Sequence, residues 1–120
     1  MIILYGISNC DSVKKAKRWL DANGLLYTFH DYKKQGVPNA EAERWIAEAG
    51  VTRVLNKRGT TWRKLSTEQQ AMADTPEGAL NLITEHTSLI KRPIITCGSR
   101  LLIGFEASLM EQLKRTETIH

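Results

Sequence analysis

The chain has few cysteines and no long hydrophobic run. Only two of its 120 residues are cysteine, Cys10 and Cys97, which excludes a scaffold held by several disulfides and favours a reducing cytosol. No apolar stretch approaches the roughly 18 residues that a membrane span requires. The apolar opening, residues 1–5, is too short for a signal peptide and has no basic segment before it. The sequence therefore predicts a cytoplasmic protein that does not associate with membranes.

Several catalytic and binding motifs are missing as well. There is no phosphate-binding glycine loop and no dinucleotide fingerprint. A C-x-x-C motif would need cysteine at Val13, and the phosphatase pattern C-x5-R would need arginine at Ala16. The three histidines are scattered without metal-ligand spacing, so neither a metal nor a tightly bound cofactor is predicted. The net charge of +4 is too diffuse to indicate nucleic-acid binding, although it favours an anionic ligand.

What is present is the composition of an ordinary globular protein. Hydrophobic residues make up 42% and charged residues 25% of the chain, which excludes a disordered protein. The length of 120 residues is that of one domain. We predict a single domain over residues 1–120 and a monomer.

Hydrophobic periodicity predicts an alternation of strands and helices around a helical middle region. The predicted elements are a strand over residues 1–5, a helix from about 11 to 23, a strand over 25–31, helices within 38–86, strands over 93–96 and 100–103, and a helix from 105 to about 116. Residues 51–64 are predicted to be irregular and residues 97–99 to form a turn.

The first two strands are joined by a helix, so they are expected to be parallel, and the last two strands are expected to form an antiparallel hairpin. This order predicts an α/β fold with a thioredoxin-like four-stranded mixed sheet and an inserted helical block. The core would comprise about 1–34 and 87–118, and the insertion about 38–86.

Cys10 is the candidate catalytic residue, because it lies between a predicted strand end and a predicted helix start. Free backbone N–H groups and the positive end of the helix dipole favour an anion there, and the thiolate is the nucleophilic form of cysteine. Lys14 and Lys15 would strengthen this effect and Asp11 would oppose it. The alternative interpretation is a small buried residue at the end of a loop.

Cys97 is not expected to pair with Cys10. If Pro93 lies beside Cys10, Cys97 stands four residues further along a strand. The separation would be roughly 13 Å at the rise of about 3.3 Å per residue, which exceeds the reach of a disulfide. A thiol that resolves an intermediate on Cys10 would therefore come from another molecule.

Arginines that bind oxyanions with two parallel hydrogen bonds are candidates for an anion site. Those near predicted turns are Arg58, Arg63, Arg92 and Arg100. Arg92 is singled out because it precedes Pro93 at the start of a strand, and X-Pro bonds are the usual place for a cis peptide. An isolated arginine is otherwise an ordinary surface charge.

Three stretches of the sequence together resemble the superfamily of glutaredoxin-linked arsenate reductases and Spx proteins. They are residues 5–20, which include Cys10, Asn56–Leu65 and Lys91–Ile95. The resemblance runs from Met1 to about Leu113 and implies the thioredoxin-like fold with its inserted helical block. The single cysteine resembles that of a small bacterial group of arsenate-reductase-like proteins, which are proposed to be glutathione-dependent thiol reductases.

The resemblance implies roles for individual residues. Cys10 matches the nucleophilic thiol, Arg58 and Arg92 match two arginines around the anion site, and Pro93 matches the cis-proline of the fold. We add Asn9 and Ser12, which flank Cys10, as candidate anion-binding residues. The chain departs from the arsenate reductases at Ile103, where they carry a third arginine.

The resemblance therefore implies an oxidoreductase that acts on thiols and disulfides or on arsenate. The leading hypothesis is a thiol reductase with glutathione as co-substrate, in which glutathione resolves a mixed species on Cys10. The alternatives are a true arsenate reductase, working with glutathione and a glutaredoxin, and an Spx-like regulator that binds RNA polymerase without catalysis. Val13 argues against the last, because it removes the C-x-x-C switch of the Spx regulators.

Overall fold

The computed structural model describes residues 2–118, apart from the side chains of residue 107 and residues 115–118. The described chain forms two compact units. The first unit comprises residues 2–32 and 92–118, and the second unit comprises residues 33–91. The prediction that the whole chain is a single domain stays a prediction.

Strands and helices alternate at both ends of the described chain, and helices fill its middle. In order they are β1 (Ile2–Gly6), α1 (Asp11–Ala22), β2 (Tyr27–Asp31), α2 (Tyr32–Gln35), α3 (Asn39–Ala49), α4 (Val51–Val54), α5 (Thr60–Arg63), α6 (Thr67–Ala71), a 3-10 segment (Met72–Asp74), α7 (Pro76–Glu85), a 3-10 segment (Thr87–Leu89), β3 (Ile94–Cys97), β4 (Arg100–Ile103) and α8 (Ala107–Thr118). None of the helices in residues 2–118 has the length and apolar character needed to cross a membrane.

The first unit is built on a four-stranded sheet with the strand order β2-β1-β3-β4. Strand β1 runs parallel to β2 and antiparallel to β3, and β3 pairs antiparallel with β4. In this register Leu4 lies opposite both Phe29 and Ile95. The predicted mixed α/β sheet, with its parallel opening pair and its closing hairpin, is confirmed.

Helix α1 packs on this sheet through the face that its sequence predicts. Val13, Ala16 and Leu20 recur at helical spacing and are fully buried. They share one hydrophobic cluster with residues of β1 and β3 and with Met110 and Leu113 of α8. Burial of each large side chain contributes about 1.5–3 kcal/mol relative to exposure, so this face fixes α1, and the residues that precede it, on the sheet.

The second unit is helical, and side-chain caps mark the starts of two of its helices. The hydroxyl of Ser66 accepts a hydrogen bond from the Gln69 backbone N–H at 3.1 Å, and the Gln69 side chain accepts one from the Ser66 backbone N–H at 3.0 Å. This reciprocal pair is a capping box. At α7, Thr75 caps the helix through a 3.1 Å bond from the Gly78 N–H, and Pro76 occupies the first turn.

The structure differs from the prediction in several places, which include helix α2 (Tyr32–Gln35), where no helix is predicted. The segment predicted to be irregular, residues 51–64, contains the short helices α4 and α5. Strand β2 begins at Tyr27 rather than Leu25, because the Leu25 N–H donates to the Leu20 carbonyl and ties the segment to the end of α1. Cys97 belongs to β3 rather than to a turn, since it pairs with both Ile2 and Arg100.

Gly6 is required where β1 meets α1. A Cβ at this position would lie 2.5 Å from a methyl carbon of Val13. Replacing Gly6 with alanine (Gly6→Ala) should therefore lower the free energy of unfolding by about 1–3 kcal/mol, the usual cost of overpacking a core. Urea denaturation measures this change.

The matched control is Gly59→Ala, where the nearest atom to a new Cβ lies 3.4 Å away. In a Val13→Ala background the cost of Gly6→Ala should shrink, because the opposing methyl groups are gone. An equal cost in both backgrounds would show that the contact with Val13 is not the cause.

Candidate active site

Cys10 lies at the junction between β1 and α1. The chain leaves β1 at Gly6, turns through Ser8 and Asn9, and reaches Cys10 as the N-cap residue of α1. The Cys10 backbone is extended (φ −127°, ψ 127°), and its carbonyl accepts the first helical hydrogen bond, from the Lys14 N–H at 3.0 Å. The side chain is half-buried and packs against the hydrophobic cluster of the first unit.

The surroundings of the Cys10 thiol favour negative charge. The first backbone N–H groups of a helix have no partner within the helix, and the helix dipole is positive at this end. The Cys10 side chain makes no capping hydrogen bond. Two exposed lysines, Lys14 and Lys15, follow in the first turns, whereas Asp11 places an exposed carboxylate next to the thiol in the sequence.

Arg92 and Tyr32 complete the site together with Asp31. Tyr32 is 1% exposed, and the Arg92 guanidinium donates a hydrogen bond to its hydroxyl. Burial raises the pKa of Tyr32, the charge and hydrogen bond of Arg92 oppose that rise, and the charges of Cys10 and Asp31 add to it. The four side chains are therefore close enough to interact electrostatically, and we call them the Cys10 cluster.

The strand directions explain why these four residues meet. Because β1 and β2 are parallel, their carboxyl ends lie at the same edge of the sheet, where Gly6 pairs with Asp31. Strand β3 is antiparallel to β1, so its first residue, Ile94, lies at that edge opposite Tyr5. Tyr32 follows β2 directly, and Arg92 precedes β3, joined to Pro93 by a cis peptide bond.

Asp31 and Tyr32 are not among the site residues that the sequence predicts. Both are buried, at 7% and 1% exposure. A signal was present, because polar residues at the carboxyl end of a strand in an α/β sheet often line a ligand site. The alternating pattern of β2 concealed it, since Asp31 looked like the last residue of an amphipathic strand.

The remaining predicted residues lie in several places. Asn9 is exposed in the turn before Cys10, and Ser12 is half-buried in the first turn of α1. Arg58 belongs to the second unit, where it lines a pocket. Arg100 lies on β4 and donates a 2.8 Å hydrogen bond to the Gln112 side chain, while Arg63 ends α5.

Cys97 has a different environment from Cys10. Both thiols are free, and Cys97 is only 3% exposed. In the β1–β3 ladder Cys97 pairs with Ile2, at the opposite end from the Tyr5–Ile94 pair. Among the described residues no group of three or more histidine, cysteine, aspartate or glutamate side chains is placed to hold a metal ion.

The strand order β2-β1-β3-β4, with helices packed on the sheet, defines a thioredoxin-like α/β fold, and Cys10 occupies the N-cap position of its first helix. The sequence profile of the ArsC family matches residues 5–113. The chain therefore belongs to the ArsC family, and the resemblance to the arsenate reductase and Spx superfamily is confirmed.

Similar proteins include both reductase-related and regulatory members. The solved structure of the YffB protein is 42% identical, with a TM-score of 0.88, and the match covers 93% of this chain and 97% of that one. An arsenate reductase (ArsC) related protein from Brucella melitensis is 36% identical, with a TM-score of 0.72, covering 95% and 94%. The global transcriptional regulator Spx 2 of Bacillus anthracis is 32% identical over 111 residues, covering 88% and 80%.

The two cysteines should differ in their reaction with iodoacetamide. In the folded protein Cys10 should be alkylated quickly, because its side chain is partly exposed to solvent. Cys97 is buried and should react only when the structure opens. Peptide mass spectrometry over time measures both rates. In urea the two rates should converge, and equal rates in the folded protein would contradict this placement of the thiols.

Tyr32 should make stability depend on alkaline pH. Its pKa is raised above the unfolded value of about 10, so the folded chain resists ionisation of the phenol. The free energy of unfolding should fall as the pH rises above about 10. Tyr32→Phe should flatten this fall and, at pH 7, destabilise the protein by about 1–2 kcal/mol because Arg92 loses its acceptor.

The matched control for Tyr32→Phe is Tyr27→Phe. Burial and Asp21 also raise the pKa of Tyr27, but among the described residues it has no hydrogen bond with an arginine. Tyr27→Phe should therefore flatten the alkaline fall while leaving stability at pH 7 nearly unchanged. Denaturant titrations from pH 7 to 11 measure both variants, and equal losses at pH 7 would count against the bond between Tyr32 and Arg92.

Proposed function

We propose that the protein is a glutathione-dependent thiol reductase in which Cys10 is the nucleophile. The observation that carries this proposal is the Cys10 cluster, which joins a half-buried thiol at a helix N-terminus to an arginine bonded to a buried tyrosine. Cys97 is buried at the far end of the β1–β3 ladder, so the resolving thiol would come from a second molecule. Glutathione follows from the resemblance of the single-cysteine site.

The proposed reaction is two successive thiol–disulfide exchanges. The Cys10 thiolate attacks the glutathione sulfur of a disulfide between glutathione and a substrate thiol. The new bond joins Cys10 to glutathione, and the substrate leaves as a thiolate that takes a proton from water. A second glutathione thiolate then attacks the bound glutathione sulfur, which releases Cys10 and forms oxidised glutathione. The substrate sulfur is thereby reduced to a thiol, and the second glutathione is oxidised as it enters the glutathione disulfide.

Arg92 and the N-terminus of α1 would stabilise negative charge during these exchanges. The helix N-terminus would supply positive charge at Cys10, and Arg92, which like Cys10 acts on Tyr32, would add to it. A preorganised donor lowers the barrier where charge shifts between sulfur atoms. Tyr32 would hold the guanidinium in position. Asn9 and Ser12 are proposed to contact the anionic ligand, and the role of Arg58 stays a prediction from the resemblance. We propose the cytoplasm as the location, since it keeps glutathione reduced.

A Cys10→Ser variant tests the proposal. Reduction of a glutathione mixed disulfide, followed through glutathione reductase and NADPH, should fall to the uncatalysed rate, because a hydroxyl cannot replace the thiolate. The matched control, Cys97→Ser, should keep its activity when assayed at a temperature where circular dichroism shows it folded. Full activity of Cys10→Ser would refute the proposal.

Two relatives favour other functions, which the same preparation can test. The Brucella protein is named as related to arsenate reductase, so arsenate should be assayed with glutathione and a glutaredoxin. Ile103 argues against this activity, because a third arginine is missing from the anion site that the resemblance implies. Turnover of arsenate, but not of disulfides, would assign the chain to that class.

The regulatory alternative rests on the Spx 2 relative. It would require binding to RNA polymerase, with Cys10 inherited but idle. The exposed basic residues of α1, Lys14 and Arg18 among them, would form the contact face. Recovery of RNA polymerase by the purified chain, together with no thiol reductase activity, would favour this function over the proposed one.

A further inference from the structure

A groove of about 380 Å³ lies between helices α3 and α7, which pack against each other in the second unit. Its volume is in the range of small-molecule sites. The residues that line it are Glu43, Ile46, Ala47, Pro76, Glu77 and Leu80. Four of these six residues are apolar, two are acidic and none is basic, although the chain has 17 basic residues against 13 acidic ones.

Each of the two helices contributes a glutamate and, three residues later, an aliphatic side chain. Residues at this spacing are neighbours on a helix surface, so Glu43 and Ile46 share a face of α3, and Glu77 and Leu80 share a face of α7. Ile46 is buried, Leu80 is half-buried, and both glutamates are exposed. The groove therefore has an apolar floor and, at its rim, a carboxylate from each helix.

Neither of these carboxylates is neutralised by a basic side chain that the structure describes. The arginine of α3, Arg44, contacts Glu48 at 3.0 Å and Glu41 at 4.0 Å, which are not among the lining residues. Among the described side chains no ion pair includes Glu43 or Glu77. A cation in the groove would therefore meet two carboxylates whose charge is still available.

The two glutamates differ in their positions along their helices. Glu77 lies in the first turn of α7, where the helix dipole stabilises a carboxylate without any ligand. Glu43 lies beyond the first turn of α3, which begins at Asn39, so the dipole contributes little there. Glu43 is therefore the better indicator of a cationic ligand and the better position for a test.

Packing and capping hold the backbone around the groove. Trp45 of α3 and Ile83 of α7 are buried. The Thr75 hydroxyl accepts a hydrogen bond from the Gly78 N–H at 3.1 Å, which fixes the first turn of α7 and with it the backbone of Glu77. Only side chains therefore need ordering when a ligand binds, which lowers the entropic cost of binding.

We propose that this groove is a binding site for a small aliphatic diamine. The methylene chain packs on Ile46 and Leu80, and the ammonium groups lie beside Glu43 and Glu77. A neutral apolar ligand makes no use of the carboxylates, and an inorganic cation makes no use of the apolar floor. The site goes beyond the proposed reductase function, since it lies in the second unit and includes no residue of the Cys10 cluster. Binding involves no covalent step.

Isothermal titration of the full chain with three probes tests this ligand class. Hexamethylenediamine should bind saturably. Hexanediol keeps the chain without the charges, and ethylenediamine keeps the charges with most of the chain removed. Each of these two should bind at least about fivefold more weakly, because each lacks one of the two interactions that the groove offers.

Variants of the groove test its place in the molecule. Glu43→Gln should weaken binding of hexamethylenediamine about threefold to fivefold, the size expected for an exposed ion pair. Ala47→Lys should abolish binding, because it places an ammonium group in the groove, and Ala47 is an exposed helical position that tolerates lysine. The matched control, Glu85→Gln, changes an exposed glutamate of α7 that does not line the groove, and it should leave binding unchanged.

Four results would overturn the proposal. Two are the absence of saturable binding of hexamethylenediamine and equally tight binding of ethylenediamine. The third is an equal loss in Glu85→Gln, which would indicate diffuse attraction by surface carboxylates. The fourth is saturable binding of a short peptide of lysine and leucine without binding of the diamine, which would assign the groove to a protein partner. Because the titration involves no thiol chemistry, its outcome is independent of the Cys10→Ser assay.

Discussion

Strand β1 is the element on which the rest of the first unit depends, because it pairs in opposite senses with its two neighbours. Parallel pairing brings the end of β2 to the end of β1, and antiparallel pairing brings the start of β3 to the same edge. Asp31 and Arg92, from distant parts of the sequence, are thereby placed beside the turn that leads to Cys10. A shift of one residue in either pairing would turn the buried faces of the strands outward, so burial of Ile2 and Leu4 also fixes the site.

Electrostatics at this edge are arranged around one guanidinium. Arg92 bonds to the Tyr32 hydroxyl, and the charges of Arg92, Cys10 and Asp31 all act on the pKa of Tyr32. A buried tyrosine is a suitable partner for such an arginine, because it accepts a hydrogen bond without neutralising the positive charge. A carboxylate in its place would pair with Arg92 and reduce its attraction for an anion at the thiol.

The sequence predicted the sheet and its main helices well, because their signals are local. Val13, Ala16 and Leu20 mark one face of α1, and Thr75 with Pro76 marks the start of α7. The short helices α4 and α5 were missed because four-residue elements show no full hydrophobic period. The sequence predicts that β2 begins at Leu25, because the backbone bond of Leu25 to the end of α1 leaves no trace in the hydrophobic pattern.

The site was only partly predictable, for a different reason. Cys10 is identifiable because both its residue type and its position, between a strand and a helix, carry information. Arg92 and Pro93 are identifiable because they are adjacent in the sequence, and an X-Pro bond is the usual place for a cis peptide. Tyr32 is meaningful only through its contact with Arg92, some sixty residues away in the sequence. This contact depends on the strand pairing, and no local pattern in the sequence predicts it.

Val13 connects the packing of the fold to the kind of chemistry that Cys10 can perform. This position, three residues after Cys10, would hold the second thiol of a C-x-x-C pair, on the same side of the helix. Here it is filled by a fully buried valine whose methyl groups lie over Gly6. The side chain that joins α1 to β1 therefore occupies the place of an internal resolving thiol. With Cys97 buried in β3, the proposed reductase function requires a resolving thiol from outside the chain.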